Sequence, residues 1–413
     1  MKTQIAGLLA TVLTINLAHA ASGDWPQWRG PDRTDVSREG GLLKTWPEGG
    51  PKRVWLFEKA GLGYAGPSIA GGKLFTMGIR NDVEELIAID ASTGKELWAA
   101  KIGEALKNSW GDGPRGTPTA DGDRVYALSG RGDLACANVA DGKIVWQRTM
   151  KEFGGKTPGW GYTESVLVDG NKVICTPGGE KGAIAALDKK NGEPIWQSKD
   201  FTDGAQYASI IAADHNGARQ YIQLTMKHVV GLAAKDGGVL WTADWPGQTA
   251  VIPTPIFHDG HVYVTAGYGV GCKLVKVGAN NQVSEVYFNK VMQNHHGGVV
   301  LVDGHIYGHS DQGGWTCQNF MTGEKVWAEK NALGKGSVTC ADGMLYCLAE
   351  NNGTAVLAEA SPKGWKEHGR FKLEAQSAQR SQRGRIWTHP VVVGGRLYLR
   401  DQELLSCYDV KAK

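Results

Sequence analysis

Phenylalanine is scarce in this chain, with 8 residues among 413, and net charge is nearly absent, 45 Lys and Arg standing against 42 Asp and Glu. So close a balance supplies no global field for nucleic acid or an anionic membrane surface, and neither is expected as a partner. Past residue 20 no apolar run reaches the roughly 20 residues a spanning helix needs, so no membrane span is expected. No Cys-x-x-Cys, Ser-His-Asp order or paired-carboxylate pattern stands out. Redox, triad and two-carboxylate chemistry therefore lack their sequence signatures. The seven cysteines are an odd number for a disulfide framework. Cys136 and Cys317 each lie ten residues before a tryptophan, Trp146 and Trp327. Equivalent positions in separate repeats are too distant to bond, so most cysteines are expected as buried small hydrophobes. Cys340 and Cys347, across one predicted hairpin, form the only local candidate pair.

The first residues read as an export signal. Lys2 precedes an apolar run from Ile5 to Leu17, and Ala18-His19-Ala20 offers small residues where a signal peptidase cuts. Residues 1–20 are thus expected to be a signal peptide cleaved near Ala20, leaving the protein periplasmic or secreted. No cysteine follows the cut, so a lipid anchor of the bacterial type is not expected.

What the chain holds in excess is glycine, 58 residues, and tryptophan, 15. Ala88-Ile-Asp90-Ala-Ser-Thr-Gly94-Lys-Glu-Leu-Trp98 recurs as Asn138-Val-Ala-Asp-Gly142-Lys-Ile-Val-Trp146 and as Leu187-Asp188-Lys-Lys-Asn-Gly192-Glu-Pro-Ile-Trp196. Weaker copies end at Trp241 and Trp327, and Tyr287 and Phe371 fall where a tryptophan is due. A period of roughly 40 to 50 residues suits a four-stranded propeller blade. Each unit also carries an Asp-Gly or Gly-Gly turn such as Gly71-Gly72, Asp121-Gly122 or Asp259-Gly260, whose positive φ suits a tight hairpin. Trp55, Trp98, Trp146, Trp196, Trp241 and Trp327 are read as structural residues packing between neighbouring blades. The chain stops at Lys413 without a tryptophan strand, and Pro51-Lys-Arg-Val-Trp55 supplies the missing one. The expected fold is therefore all-β, an eight-bladed β-propeller over 51–413, with the last blade closed by N- and C-terminal strands. Residues 21–50, which include Trp25-Pro-Gln-Trp28-Arg-Gly-Pro31, stand outside the repeat and are expected to pack over the outside of the ring.

In a propeller the inner strands begin near the central channel on one face. The segments just ahead of them bring together Arg115, Tyr162, Glu164, Tyr207, His295, His296, Lys335, Trp387 and His389 as a candidate channel-mouth site for a small-molecule or protein ligand. Adjacent on a strand, His295 and His296 are expected to face opposite sides. Gly267-Tyr-Gly-Val-Gly271 has dinucleotide-like spacing but no helix after it, so it reads as a turn.

The Ala-x-Asp-x-x-Thr-Gly-x-x-x-Trp units resemble the tryptophan-docking repeats of the pyrroloquinoline-quinone (PQQ) dehydrogenases, the quinoprotein alcohol dehydrogenase-like propellers. They also resemble those of the propeller lipoprotein that assists outer-membrane barrel assembly. The Trp-Pro-Gln-Trp-Arg-Gly-Pro opening is similar to exported PQQ-like propellers of planctomycete and verrucomicrobial type. The resemblance implies that Arg115 would hold a PQQ carboxylate and that Glu180, after Gly178-Gly179, would be the metal candidate, a calcium ligand. Against it, no vicinal cysteine pair surrounds Ser109-Trp110, and no Gly-Asp-Asn segment carries a catalytic aspartate. Two readings follow: a binding module without catalysis, working through its channel mouth, or a PQQ and calcium-dependent dehydrogenase of alcohols or sugars. No residue is assigned a catalytic role. The export reading has a direct check, since intact-mass analysis of protein recovered outside the cytoplasm should find a mature chain beginning at Ala21, and a retained Met1 would refute it.

Overall fold

The turns read from the sequence sit where hairpins form in the computed structural model, which describes residues 23–413. The expected signal peptide lies outside the described residues. Gly71 and Gly72, both at positive φ (55° and 76°), join Ser68–Ala70 to Lys73–Arg80. The sheet continues through Val83–Asp90 to Glu96–Glu104. This four-strand meander recurs, and the described residues form eight sheets. The fold is an all-β, eight-bladed propeller; among the described residues its helices are two 3-10 turns, Met150–Phe153 and Ala279–Asn281. Blades one to eight have inner strands Ser68–Ala70, Thr119–Asp121, Leu167–Asp169, Ile211–His215, Ile256–His258, Val299–Val302, Gly336–Ala341 and Val391–Val393. Blade eight is split as expected: Arg53–Phe57 pairs antiparallel with Leu404–Asp409, Trp55 opposite Cys407.

The core lies between blades, where inward faces of neighbouring sheets meet. Phe75, Met77 and Leu86 of blade one, for example, pack on Ala120, Val125 and Ala127 of blade two. Outer-strand aromatics close most of the joints. The indole Nε1 of Trp98 donates to Val139 O at 3.0 Å, that of Trp146 to Lys189 O at 3.0 Å and that of Trp327 to Ser361 O at 2.9 Å. Trp55 and Trp196 reach Ala91 O and Ala234 O in the same way. Tyr287 replaces an indole with its hydroxyl, which donates to Phe320 O at 2.9 Å. Phe371 has no donor and packs on Gly50 and the edge of Trp46. Trp241 packs between blades four and five as expected, but its hydrogen bond differs. Its Nε1 donates to Gln220 Oε1 in its own blade, at 2.7 Å. The corresponding turn of blade five, Gly278-Ala-Asn-Asn281, places no glycine beneath an indole. All seven cysteines are buried free thiols, and Cys340 lies opposite Leu345, Cys347 opposite Val338.

The segment 25–37 is not on the outside of the ring. It lies against the inner strands and touches every blade. Trp25 exchanges backbone hydrogen bonds with Ile69, and Pro26 O accepts from Ala120 N. Trp28 Nε1 donates to Thr254 Oγ1, and Arg29 Nη2 to Val299 O at 2.7 Å. Arg33 donates to Ser165 O, Val166 O and Ile210 O. Val36–Ser37 pairs in parallel with Cys340–Ala341, and Asp35 Oδ2 lies 2.9 Å from His389 Nδ1. The physical reason is backbone satisfaction: inner-strand polar groups facing the axis need partners, and two buried guanidiniums supply them. The sequence hid this because the segment has no repeat counterpart.

The indole-on-glycine joint has its own test. Gly142 has φ 73° and a Cβ there would fall 2.5 Å from the Trp98 ring, whereas Gly122, φ 59°, faces open space. Gly122→Ala should cost about 1 kcal/mol for the left-handed backbone alone. Gly142→Ala should cost about 3 kcal/mol, because the indole must also move. Equal losses in urea unfolding would refute the joint.

Candidate functional site

The segments leading into the inner strands end in Pro67, Pro118, Pro255 and Pro390 in four blades. Proline fixes φ and holds the preceding residue extended, which aims these segments at the axis. They converge on one face around a cavity of about 360 Å³. Of the nine residues singled out in the sequence, Arg115, Tyr207, His295, His296, Lys335, Trp387 and His389 line it. Tyr162 and Glu164 do not. Thr163 and Ser165 face the cavity, so the alternation of an extended chain turns Tyr162 and Glu164 into the blade. Tyr162 is buried and its hydroxyl donates to Pro177 O at 3.0 Å. The Glu164 carboxylate accepts from Thr176 N at 2.6 Å and Thr176 Oγ1 at 2.9 Å, and burial pushes its pKa up to about 7.

His295 and His296 both reach the cavity, contrary to the strand expectation. Their segment is irregular rather than a strand, and the rings stand 4.8 Å apart. Burial and then the neighbouring Lys335 charge hold His295 well below the usual histidine range. Burial, with His295 and Lys335 beside it, depresses His296 as well. The pair is therefore uncharged at neutral pH. Lys335 Nζ contacts His295 Nδ1 and donates to Asp311 Oδ1 at 2.7 Å.

Other walls were missed in the sequence. Tyr64 lies under Arg115, whose guanidinium carbon is 4.8 Å from the ring centre. Trp387 stacks on His296 at 4.7 Å and donates its Nε1 to Glu350 Oε2 at 3.1 Å. Trp110 and Arg383 form a cation–π pair at the rim, 5.5 Å apart, with Arg385 beside them in the cavity wall. Trp160, Tyr268 and the channel segment's Trp28 and Arg29 complete the lining. Tyr64 and Trp160 occupy the same lead-in positions as residues that were chosen. The arginines at 380, 383 and 385 stand in one loop, a visible basic run. Nothing in the sequence marks Trp28 or Arg29 as belonging to the mouth.

Cations dominate this surface. Arg115 donates Nε to Trp160 O and Nη2 to Gly111 O, and its buried Nη1 has no partner. Among the described residues no carboxylate pairs with Arg115, Arg383 or Arg385. Glu350 is the one carboxylate in the lining, and burial raises its pKa. Flat aromatic walls with unpaired guanidiniums suit an anion that has a planar apolar part. A calcium-bound quinone does not fit. Glu180 is exposed and outside the lining, and a hard cation favours several carboxylates where the lining offers one, Glu350. No group of three or more His, Cys, Asp or Glu converges among the described residues. Nor does any described helix have the length and apolarity to cross a membrane.

Imidazole NMR tests this electrostatic account. His309, whose pKa burial lowers to about 4, should titrate near that pH. Lys335→Met should raise the His295 midpoint toward 6.5, the ordinary histidine value. Because both groups sit below their unfolded pKa, stability should be full above pH 6.5 and fall as pH drops toward 4. An unmoved His295 midpoint would show that Lys335 exerts no such field.

Three comparisons place the chain among known proteins. A 231-residue stretch is 26% identical to the tetrathionate hydrolase of Acidithiobacillus ferrooxidans, covering 52% of this chain and 44% of that protein. The chain thus spans less than half the length of the curated relatives it matches. In fold it is similar to BamB from Moraxella catarrhalis, with a TM-score of 0.62 at 15% identity over 88% of this chain and 98% of the other. It is also similar to the quinohemoprotein alcohol dehydrogenase of Comamonas testosteroni, TM-score 0.63 at 12% identity over 95% and 81%. These two likenesses speak to the propeller alone. The family model described as outer membrane protein assembly factor BamB matches residues 82–329, more than half of the sequence, and the chain belongs to that PQQ-like propeller family.

Proposed function

We propose that this chain is an exported binding propeller whose channel mouth captures a small anionic ligand with a flat apolar body, without catalysing a reaction on it. The observation that carries the reading is Arg115: its guanidinium lies over Tyr64 at the edge of the cavity, held by two backbone carbonyls, with Nη1 unpartnered. Leaving a buried donor unmade is costly, so the position favours a ligand acceptor there. Arg383 and Arg385 add positive potential at the rim, and the neutral histidines add none of their own. A relative named for tetrathionate, a dianion, is in keeping with an anion site on this kind of propeller. The export expected from residues 1–20 would place such a binder outside the cytoplasm.

Calorimetric titration tests the reading. Benzoate, terephthalate, glucuronate, tetrathionate and PQQ, the last with and without calcium, serve as probes, with glucose as the neutral control. At least one anion should bind, glucose should not, and calcium should leave PQQ affinity unchanged. Arg115→Met should weaken the bound anion about 10-fold or more, the loss expected for a charge-assisted hydrogen bond. Silence from every anion, or an affinity indifferent to Arg115→Met, would refute the proposal.

A further inference from the structure

The channel segment does more than fill the axis, because it also supplies the deep wall of the cavity. Trp28 and Arg29 line the same space as Arg115. Trp28 is fixed by its hydrogen bond to Thr254 and packs 4.6 Å from the His389 ring. Arg29 is 1% exposed. Its Nη2 is spent on Thr34 O at 2.9 Å and Val299 O at 2.7 Å, and its Nε lies 3.5 Å from Asp35 Oδ2. Nη1 is buried with no partner.

Arg29 also does not have its carboxylate to itself. Asp35 is the carboxylate beside it, and the same Oδ2 atom faces His389 Nδ1 at 2.9 Å. His389 Nε2 meets His296 O at 2.8 Å. Both ring nitrogens thus face oxygens, and Asp35 is shared between the Arg29 guanidinium and the His389 ring. The backbone supports the same conclusion: Arg29, Arg33 and Asp35 all adopt left-handed φ, 62°, 56° and 59°. Such conformations are unfavourable for side-chain-bearing residues and concentrate where a side chain must be aimed.

We infer that Arg29 is a second anion-binding residue of the mouth, so that the site takes a dianion whose two acidic ends are held by Arg29 at depth and Arg115 nearer the rim. This rests on the reading that the mouth binds an anion. It goes further in naming the ligand as doubly charged and in making the N-terminal segment part of the binding site rather than a plug alone. The order of depth follows from exposure, since Arg29 is fully buried, Arg115 is half-buried and Arg383 is exposed. A monoanion satisfies one guanidinium and leaves the other donor unmade.

Benzoate and terephthalate differ by one carboxylate at the far end of the same ring and make the test. In the unaltered protein terephthalate should bind about 10-fold more tightly than benzoate, the increment of one further charge-assisted contact. In Arg29→Met that preference should collapse to near parity, while Arg29→Lys should keep part of it. Arg115→Met should weaken both probes. Should Arg29→Met not fold, judged by its melting curve, a crystal of the unaltered protein soaked in terephthalate decides instead. A carboxylate within hydrogen-bonding distance of Arg29 Nη1 supports the inference, and terephthalate held by Arg115 alone overturns it. A dianion preference that survives in a folded Arg29→Met overturns it too and leaves the anion site standing. If neither probe, nor any other anion, binds the unaltered protein, the anion site falls and the inference with it.

Discussion

Eight strands converging on one axis create a hydrogen-bonding problem, and the Arg33 guanidinium is the main answer to it. Inner strands have no neighbour on their axial side, so carbonyls there need partners from elsewhere. Arg33 donates to Ser165 O, Val166 O and Ile210 O, spanning blades three and four, and also holds Gln27 Oε1 of its own segment. Burial pulls its pKa down to about 9, with the Glu164 charge opposing the fall. It still carries its proton at neutral pH. Glu164, predicted at the mouth, belongs to this interior electrostatics instead.

The seating of that segment decides what the propeller can be. An unfilled channel would be a water-filled conduit open at both faces. With 25–37 touching all eight blades the axis is filled, and the space left above it is a pocket with a floor. Trp28 and Arg29 reach the pocket because Trp25 and Pro26 anchor the chain before them, and Arg33, Asp35 and the parallel pair Val36–Ser37 with Cys340–Ala341 anchor it after. Fold and site are thus coupled through a stretch that lies outside the repeat.

The repeat was legible because its physics is local. A glycine at positive φ and a tryptophan four residues on can be read from one turn and one strand, and five such copies, with Trp55, Tyr287 and Phe371 at the remaining positions, fix the ring. The split blade was legible for the same reason, as a strand missing at one end of the chain and present near the other. Side-chain direction was less so. The lead-in segments were found correctly, but Tyr162 and Glu164 differ from Thr163 and Ser165 only by one step of an extended chain, and no pattern in the sequence sets that parity. His295 and His296 reversed the error: an alternation was assumed where the backbone is irregular. Trp241 shows the limit of the repeat itself, because a cross-blade hydrogen bond depends on a glycine in the next blade, which Gly278-Ala-Asn-Asn281 does not provide. Arg29 and Trp28 were illegible as site residues since their neighbours lie more than 200 residues away in Thr254 and Val299.

Toward the anion proposed above, the graded burial of the cations would give each a different task. Arg383 is exposed, so its field reaches approaching anions but is screened within about 10 Å at 0.1 M salt. Charges of that kind chiefly raise association rates. Arg29 is enclosed by protein, where the effective dielectric is lower and screening weak, so it acts on a ligand already seated and chiefly slows its departure. Arg115, half-buried and backed by Tyr64, stands between the two. The aromatic walls add contact area that is indifferent to salt. A mouth built this way would, on the proposed reading, attract by charge at the rim and discriminate by charge at the floor, and the floor is supplied by the N-terminal segment that fills the ring from within.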